Sequence, residues 1–425
     1  MDLAILFGGF IAALLAGVPV AVSLGIASAL YIAFSGTPLV VIPQKMYAGM
    51  DVFVLLSIPG FILAGNLMNN GGITERIVRF ATALVGWLRG GLGLTNIAGS
   101  MLFGGISGTA VADAASVGGM MIPGMKRAGY PAPFSAAVTA ASSTVGPMIP
   151  PSVPMIIVGA LSGISVGQMF LAGAVPGILM GFAMMVTCFL IARRRNFPRE
   201  DWKGFGELLR AFAAAFWAVA MTALIIIGLL SGYATPTETA VLASIYATVV
   251  GLFVYRELPV RKIPKIIVES AVSSAGILAL VGFANVFGYI LAAERIPQTI
   301  AAAVLSVTDN KYVVILLINV LLLFIGTFME TIAALIILFV PLLQLAMAVG
   351  VDPLHFATFA VLNLMLGLTT PPVGVCLFVC ANIAKIPLAP VVRAILPFLL
   401  TNIAVLLAVS YIPPLATWLP RTLMD

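Results

Sequence analysis

Two polar islands stand out in this chain. The first is Gly104-Gly105-Ile106-Ser107-Gly108-Thr109, with Asp113, Gly118-Gly119 and Pro123 behind it; the second is Gly326-Thr327, with Glu330 and Pro341. Each is followed by a proline-centred break, Gly146-Pro147-Met148-Ile149-Pro150-Pro151-Ser152 in one half and Gly367-Leu368-Thr369-Thr370-Pro371-Pro372-Val373-Gly374 in the other. The chemistry on offer is that of hard oxygen: hydroxyls, and main-chain carbonyls that lose their helical donors where proline interrupts the ladder. Membrane proteins hold sodium in this way where helices are broken. The spacing points to two related sodium sites. One draws on Ser107, Gly108 and Thr109 with the carbonyls near Gly146 and Ile149; the other draws on Gly326 and Thr327 with those near Gly367, Thr370 and Val373.

Half-helix N-termini at the same tips carry partial positive charge, which suits an anionic substrate group. Ser107 and Ser152 are the choices for hydrogen bonds to a carboxylate, with Asn363 a weaker one. Asp113 and Glu330 stay open between two uses: binding sodium or substrate hydroxyls, Glu330 being the substrate candidate, or capping a hairpin strand. Glu238, in Thr235-Pro236-Thr237-Glu238, sits where a helix starts and reads as an N-terminal cap. Close helix packing by small residues accounts for Gly118 and Gly119 but leaves the paired Pro-Pro breaks unexplained. A hydrolytic alternative rests on Gly105-Ile106-Ser107-Gly108, the Gly-x-Ser-Gly form seen in rhomboid-like intramembrane proteases. Its serine needs a base, and the only histidine, His355, follows Asp352-Pro353-Leu354 at a helix start. The duplication has no role in that scheme, and no enzyme is expected.

The elements that must position these groups follow from the same pattern. A spanning helix has little use for so many glycines, an acid and a proline, so the islands read as re-entrant hairpins at about 104–126 and 324–347. Non-helical backbone survives at that depth only where protein or a wet cavity covers it, so the tips should line a site. The breaks divide two discontinuous helices, about 133–160 and 354–384. Glu75-Arg76-Ile77 returns as Glu294-Arg295-Ile296, and Pro150-Pro151 as Pro371-Pro372. One half therefore duplicates the other, with repeats at 1–195 and 196–425, which is the signature of secondary transporters. Further helices are expected at 3–16, 18–34, 51–69, 166–192, 208–231, 236–254 and 388–412. At 74–88, Glu75, Arg76 and Arg79 alternate with Ile77, Val78, Phe80, Leu84 and Trp87, as in an amphipathic interfacial helix; a surface helix near 296–307 is its partner.

Composition fits. Of 425 residues 62% are hydrophobic and only 8% charged, against about 25% charged in soluble domains. The fold class is an all-α polytopic membrane protein with an inverted repeat. The net charge of +6 does not imply nucleic acid, because the basic residues cluster in loops as the positive-inside bias requires. Arg193-Arg194-Arg195 with Arg199 and Lys203, then Arg256, Arg261, Lys262 and Lys265, mark the cytoplasmic side, and Lys126-Arg127 falls there too. The first hairpin then enters from the cytoplasm. The second enters from outside if an odd number of crossings lies between 266 and 328, a parity the sequence leaves open. Cys188, Cys376 and Cys380 lie in apolar stretches and read as core residues. Met1-Asp2 leads into apolar sequence without a basic region, which argues against a cleaved signal peptide.

The chain resembles the large membrane subunit (M) of the tripartite ATP-independent periplasmic (TRAP) transporters. The resemblance is carried by Ala64-Gly65-Asn66-Leu67-Met68 with Gly71-Gly72-Ile73, by Gly105-Ile106-Ser107-Gly108-Thr109-Ala110 with Ala112-Asp113, by both proline breaks, and by Thr235-Pro236-Thr237-Glu238. It implies a sodium-coupled importer of an organic acid in a bacterial inner membrane, with at least two sodium ions. It also implies two partners: a soluble periplasmic substrate-binding protein (P) and a small four-helix membrane subunit (Q), here expected as a separate chain. The family's elevator mechanism implies that hairpins and broken helices slide as a transport domain against a scaffold, with the helices at 74–88 and 296–307 as arms. C4-dicarboxylates, sialic acids, keto acids and sugar acids stay open as substrates. The nearer alternative is a stand-alone sodium-dicarboxylate carrier.

Overall fold

The computed structural model describes residues 2–199 and 201–424; the side chains of Asp2 and Ser107 lie outside the described set. The described elements are all helical. The chain opens with α1 (Asp2–Leu15), α2 (Val20–Ser35), α3 (Val41–Met50), α4 (Ser57–Asn70) and α5 (Ile73–Val85), then forms a hairpin from α6 (Gly91–Ser107) and α7 (Ala110–Arg127). A broken helix follows as α8 (Ala132–Ser143) and α9 (Val153–Ser162), with a single turn at Gly146–Met148 between them, and then α10 (Val166–Arg194). The second half runs α11 (Phe205–Leu230), α12 (Pro236–Val249), α13 (Ile263–Ala293), α14 (Ile296–Val307), a hairpin of α15 (Lys311–Gly326) and α16 (Thr331–Ala348), a broken helix of α17 (Pro353–Gly367) and α18 (Val375–Ala384), then α19 (Leu388–Tyr411) and α20 (Pro414–Met424). Seven helical spans among the described residues are long and apolar enough to cross a bilayer, and α8 with α9, bent by 42°, makes an eighth.

Packing sorts the helices into two groups. In the first, α13 packs on α2, α3 and α4, α12 on α4 and α11, and α1 on α2. Glycine sets these contacts: a Cβ on Gly25 would stand 2.6 Å from the Phe283 ring, and one on Gly60 would stand 2.8 Å from Ala240 Cβ. In the second group α18 packs on α7 and α8, α17 on α15, α16 and α19, α16 on α9, and α10 on α19 and α20. The amphipathic helix α5 touches the hairpin arm α6 and the outer helix α11, and α14 touches α16 and α13. Each half therefore sends one short helix between the two groups.

Several boundaries differ from the sequence reading. Both hairpins are longer at their first arm, which starts at Gly91 and at Lys311 rather than near 104 and 324. The glycine-rich run Gly104-Gly105 stays helical because tertiary contact outweighs its poor propensity: the Gly104 backbone presses on Gly146, leaving 2.1 Å for a Cβ. The region 263–293 is a single helix of 31 residues, and α3 and α20 had no counterpart in the sequence reading. The three cysteines are buried and free.

Candidate functional site

Each hairpin tip plugs into the break of the discontinuous helix that follows it. In the first half α6 ends at Gly108, whose φ of 64° is the left-handed conformation glycine adopts at low cost. The Gly108 carbonyl accepts a hydrogen bond from Val153 N at 3.4 Å, so the tip is tied to the first residue of α9. Thr109 caps α7 by accepting from Ala112 N at 3.4 Å, and Ser152 caps α9 by accepting from Met155 N at 3.3 Å. Within the break, Gly146 O accepts from Ile149 N at 2.9 Å. The carbonyls of Ile149, Pro150 and Pro151 receive no backbone N–H among the described residues. Pro150 O and Pro151 O lie against the tip, 3.1 Å from a Cβ placed on Gly105 and 3.2 Å from one on Gly108. The outer helix α11 reaches the same tip, where Thr222 Oγ1 donates to Gly105 O at 2.9 Å.

The second half rebuilds this junction. Thr327 ends α15, its carbonyl accepts from Gly374 N at 3.3 Å, and Gly374 leads into α18. Gly326 and Gly367 stand backbone to backbone, a Cβ on Gly367 falling 2.5 Å from Gly326 Cα. Thr370 Oγ1 donates to Leu366 O at 2.8 Å, which leaves its lone pairs free to accept. The carbonyls of Thr370, Pro371, Pro372 and Val373 receive no backbone N–H among the described residues. The Pro-Pro bond within each break, Pro150-Pro151 and Pro371-Pro372, is cis. The two junctions meet through α17, which packs on α9 and on the turn at Gly146–Met148.

Most of the residues singled out from the sequence are therefore gathered at two places. Gly108, Thr109, Gly146, Ile149 and Ser152 belong to one junction, and Gly326, Thr327, Gly367, Thr370 and Val373 to the other. Ser107 closes α6 at the first tip, but its side chain lies outside the described residues. Glu330 caps α16, accepting from Ile332 N at 2.9 Å and Ala333 N at 3.3 Å, while its side chain remains exposed at the tip. By cap position it matches Thr109, so the pairing of Thr109 with Thr327 suggested by Gly-Thr in the sequence is shifted: the second tip has extra residues, Phe328 and Met329 among them. Asn363 stands apart from the tips. It is fully buried and donates to Asn319 O at 2.9 Å and Asn319 Oδ1 at 2.8 Å, joining α17 to α15. His355 Nε2 bonds Val409 O at 2.8 Å, a structural link between α17 and α19. Glu238 forms the expected capping box with Thr235.

Sequence reasoning missed a cavity of about 480 Å³ that lies between the two helix groups. Val281, Gly288 and Lys45 face Ile157, Val340 and Gln344 across it, with Asn285 and Gln298 among its polar groups. Its volume is that of a small-molecule site. Nothing in local sequence marks Lys45, because α3 carries no periodic signal.

Two hairpins seated in two broken helices within a bundle of apolar spans define a secondary-transporter architecture. The fold also matches the crystal structure of the Alcanivorax borkumensis YdaH transporter, with a TM-score of 0.59 and 14% identity over 91% of this chain and 88% of that one. Residues 7–415 match the family model "Tripartite ATP-independent periplasmic transporter, DctM component". The sialic acid TRAP transporter large permease protein SiaM of Vibrio cholerae is 42% identical over 97% of both chains. The C4-dicarboxylate TRAP transporter large permease protein DctM of Pseudomonas aeruginosa is 37% identical over 94% of both. The chain belongs to the DctM family of TRAP transporter large permeases. It is thus a multi-pass transport protein of the inner membrane, not an enzyme.

Proposed function

We propose that this permease couples sodium entry to uptake of an organic acid handed over by a periplasmic binding protein, working with a small membrane subunit. The supporting observation is the pair of junctions, each pressing a hairpin tip onto carbonyls that no backbone N–H occupies. Such carbonyls and the Thr370 hydroxyl are hard donors suited to sodium. Tips that are also helix N-termini leave N–H groups facing a carboxylate. The relatives' sialic acid and C4-dicarboxylate substrates both carry carboxylates, so that group is the shared feature proposed for the cargo. The helix groups supply candidates for the fixed and sliding parts of an elevator. With α15 assigned to the hairpin, α13 is the one long span between residues 266 and 328, which favours opposite entry of the two hairpins and hence an inverted repeat.

The test is uptake of labelled acids into proteoliposomes holding this chain and its small subunit, with sodium and the binding protein added or omitted. Uptake should require both. Thr370→Ala should raise the half-saturating sodium concentration about tenfold, the scale of one ligand to a charged group. It should also weaken substrate binding through linkage. Equal uptake without sodium would overturn the coupling, and equal uptake without the binding protein would favour a stand-alone carrier.

A further inference from the structure

Asp113 is the acid that neither junction uses. It sits one turn into α7 and is fully buried, and neither carboxylate oxygen makes a well-formed hydrogen bond among the described residues, although the Ser100 hydroxyl is close enough to interact. Helices α6, α7, α8 and α18 close around it. From α6, Ser100 lies beside the carboxylate; the Ser100 hydroxyl shares a hydrogen bond of 3.0 Å with Ser142 Oγ on α8. From α18, Cys376 and Cys380 lie near it, and Ser143 of α8 sits against the Cys376 thiol. Among the described residues no basic side chain acts on it. Lys126, at the far end of α7, is spent on Ala384 O at 2.8 Å, and the one histidine is spent on Val409 O.

A carboxylate enclosed without a well-formed hydrogen bond or a counter-charge is expensive, by several kcal/mol. The wall around it supplies hydroxyls, which can accept as well as donate. One carboxylate with hydroxyls is a hard-oxygen set of single negative charge. That matches a monovalent cation; calcium sites collect several carboxylates.

We propose that Asp113 and Ser100 hold a third sodium ion, enclosed by α6, α7, α8 and α18 and separate from the two junction sites. The proposal rests on the sodium-coupled reading above. Such an ion would neutralise the carboxylate and link α7 to α6 behind the first tip, making the hairpin's order depend on sodium.

Equilibrium binding of radiolabelled sodium to the purified chain tests this without any partner or substrate. Three ions per wild-type chain should fall to two in Asp113→Asn, which keeps the side-chain shape. Ser100→Ala keeps the carboxylate and should retain the count with one site weakened several-fold; it decides the matter if the asparagine variant does not fold. Unchanged count and affinity in these variants would overturn the proposal and identify Asp113 as a neutral, proton-bearing acid. Thr370→Ala separates the two readings. A loss there with Asp113→Asn silent defeats only the third site, whereas the reverse pattern defeats the junction site.

Discussion

At the scale of single residues, glycine does two different jobs that composition alone does not distinguish. Gly367 and Gly326 meet backbone to backbone, so a methyl on Gly367 has 2.5 Å where an ordinary contact needs well over 3 Å. Gly119, in an equally glycine-rich stretch, has nothing within 4 Å of an added Cβ. Gly367→Ala must push the second tip out of its break, an overpacking cost of about 1–3 kcal/mol. Gly119→Ala exchanges glycine for the better helix former and gains up to about 1 kcal/mol. Thermal melting in detergent should therefore fall for the first and hold or rise for the second, with uptake lost only in the first. Similar melting in both would mean that the tip is not held by this contact. The sequence already showed that these islands interrupt helices, because proline and glycine act locally. Which glycine touches which backbone was not legible, since that depends on residues some 40 positions away along the chain.

At the scale of elements, α5 is anchored by charge at one end and by packing along its length. Arg76 lies over the Tyr255 ring at 4.0 Å, donates to Gly72 O at 2.7 Å, and pairs with Glu257 at 2.6 Å; Arg79 pairs with Glu207 at 2.6 Å. The Glu257 carboxyl is held below the usual carboxylate range by its hydrogen bond from Arg76. A carboxylate lowered on folding stabilises the fold above its unfolded pKa, and that gain is lost as pH falls through the folded value. The pair is partly exposed, so the gain stays under about 1 kcal/mol. Glu257→Gln should lower the melting temperature slightly at neutral pH, and the two proteins should converge below about pH 4. A constant gap across that range would assign the effect to packing. The amphipathic pattern made α5 readable in advance, whereas α3 was not: Val41–Met50 is short and mixes Pro43, Gln44 and Lys45 without a clear apolar face. The hairpin arms were read too short for a related reason, since Gly91 to Phe103 is helix only in the company of α5, α8 and α10.

At the scale of the whole molecule, the contrast between a locked seam and an open one is what an elevator requires. Within the outer group the contacts leave no slack: Gly49 faces Asn285 with 2.5 Å for a Cβ, and Asn285 Nδ2 donates to Lys45 O at 2.6 Å. Between α13 and α16 there is instead a cavity of about 480 Å³. Rigid groups separated by loosely filled space can shift against one another without breaking a packed core. Gly288 on α13 and Gln344 on α16 both line that cavity, and Gly288 has open space around its Cα. Cysteines at these two positions, joined by a short bifunctional thiol reagent, should hold the groups in one position, and the buried native cysteines should stay unreactive. Uptake should then fall more than tenfold and return on reduction, while sodium binding survives because the hairpin tips and helix breaks belong to the other group, with only Thr222 of α11 reaching one of them. If the cross-linked protein carries substrate as fast as the reduced one, the two groups do not slide. The site would then have to open by movement of the hairpin tips alone, with the Thr222 to Gly105 bond as the first contact to examine.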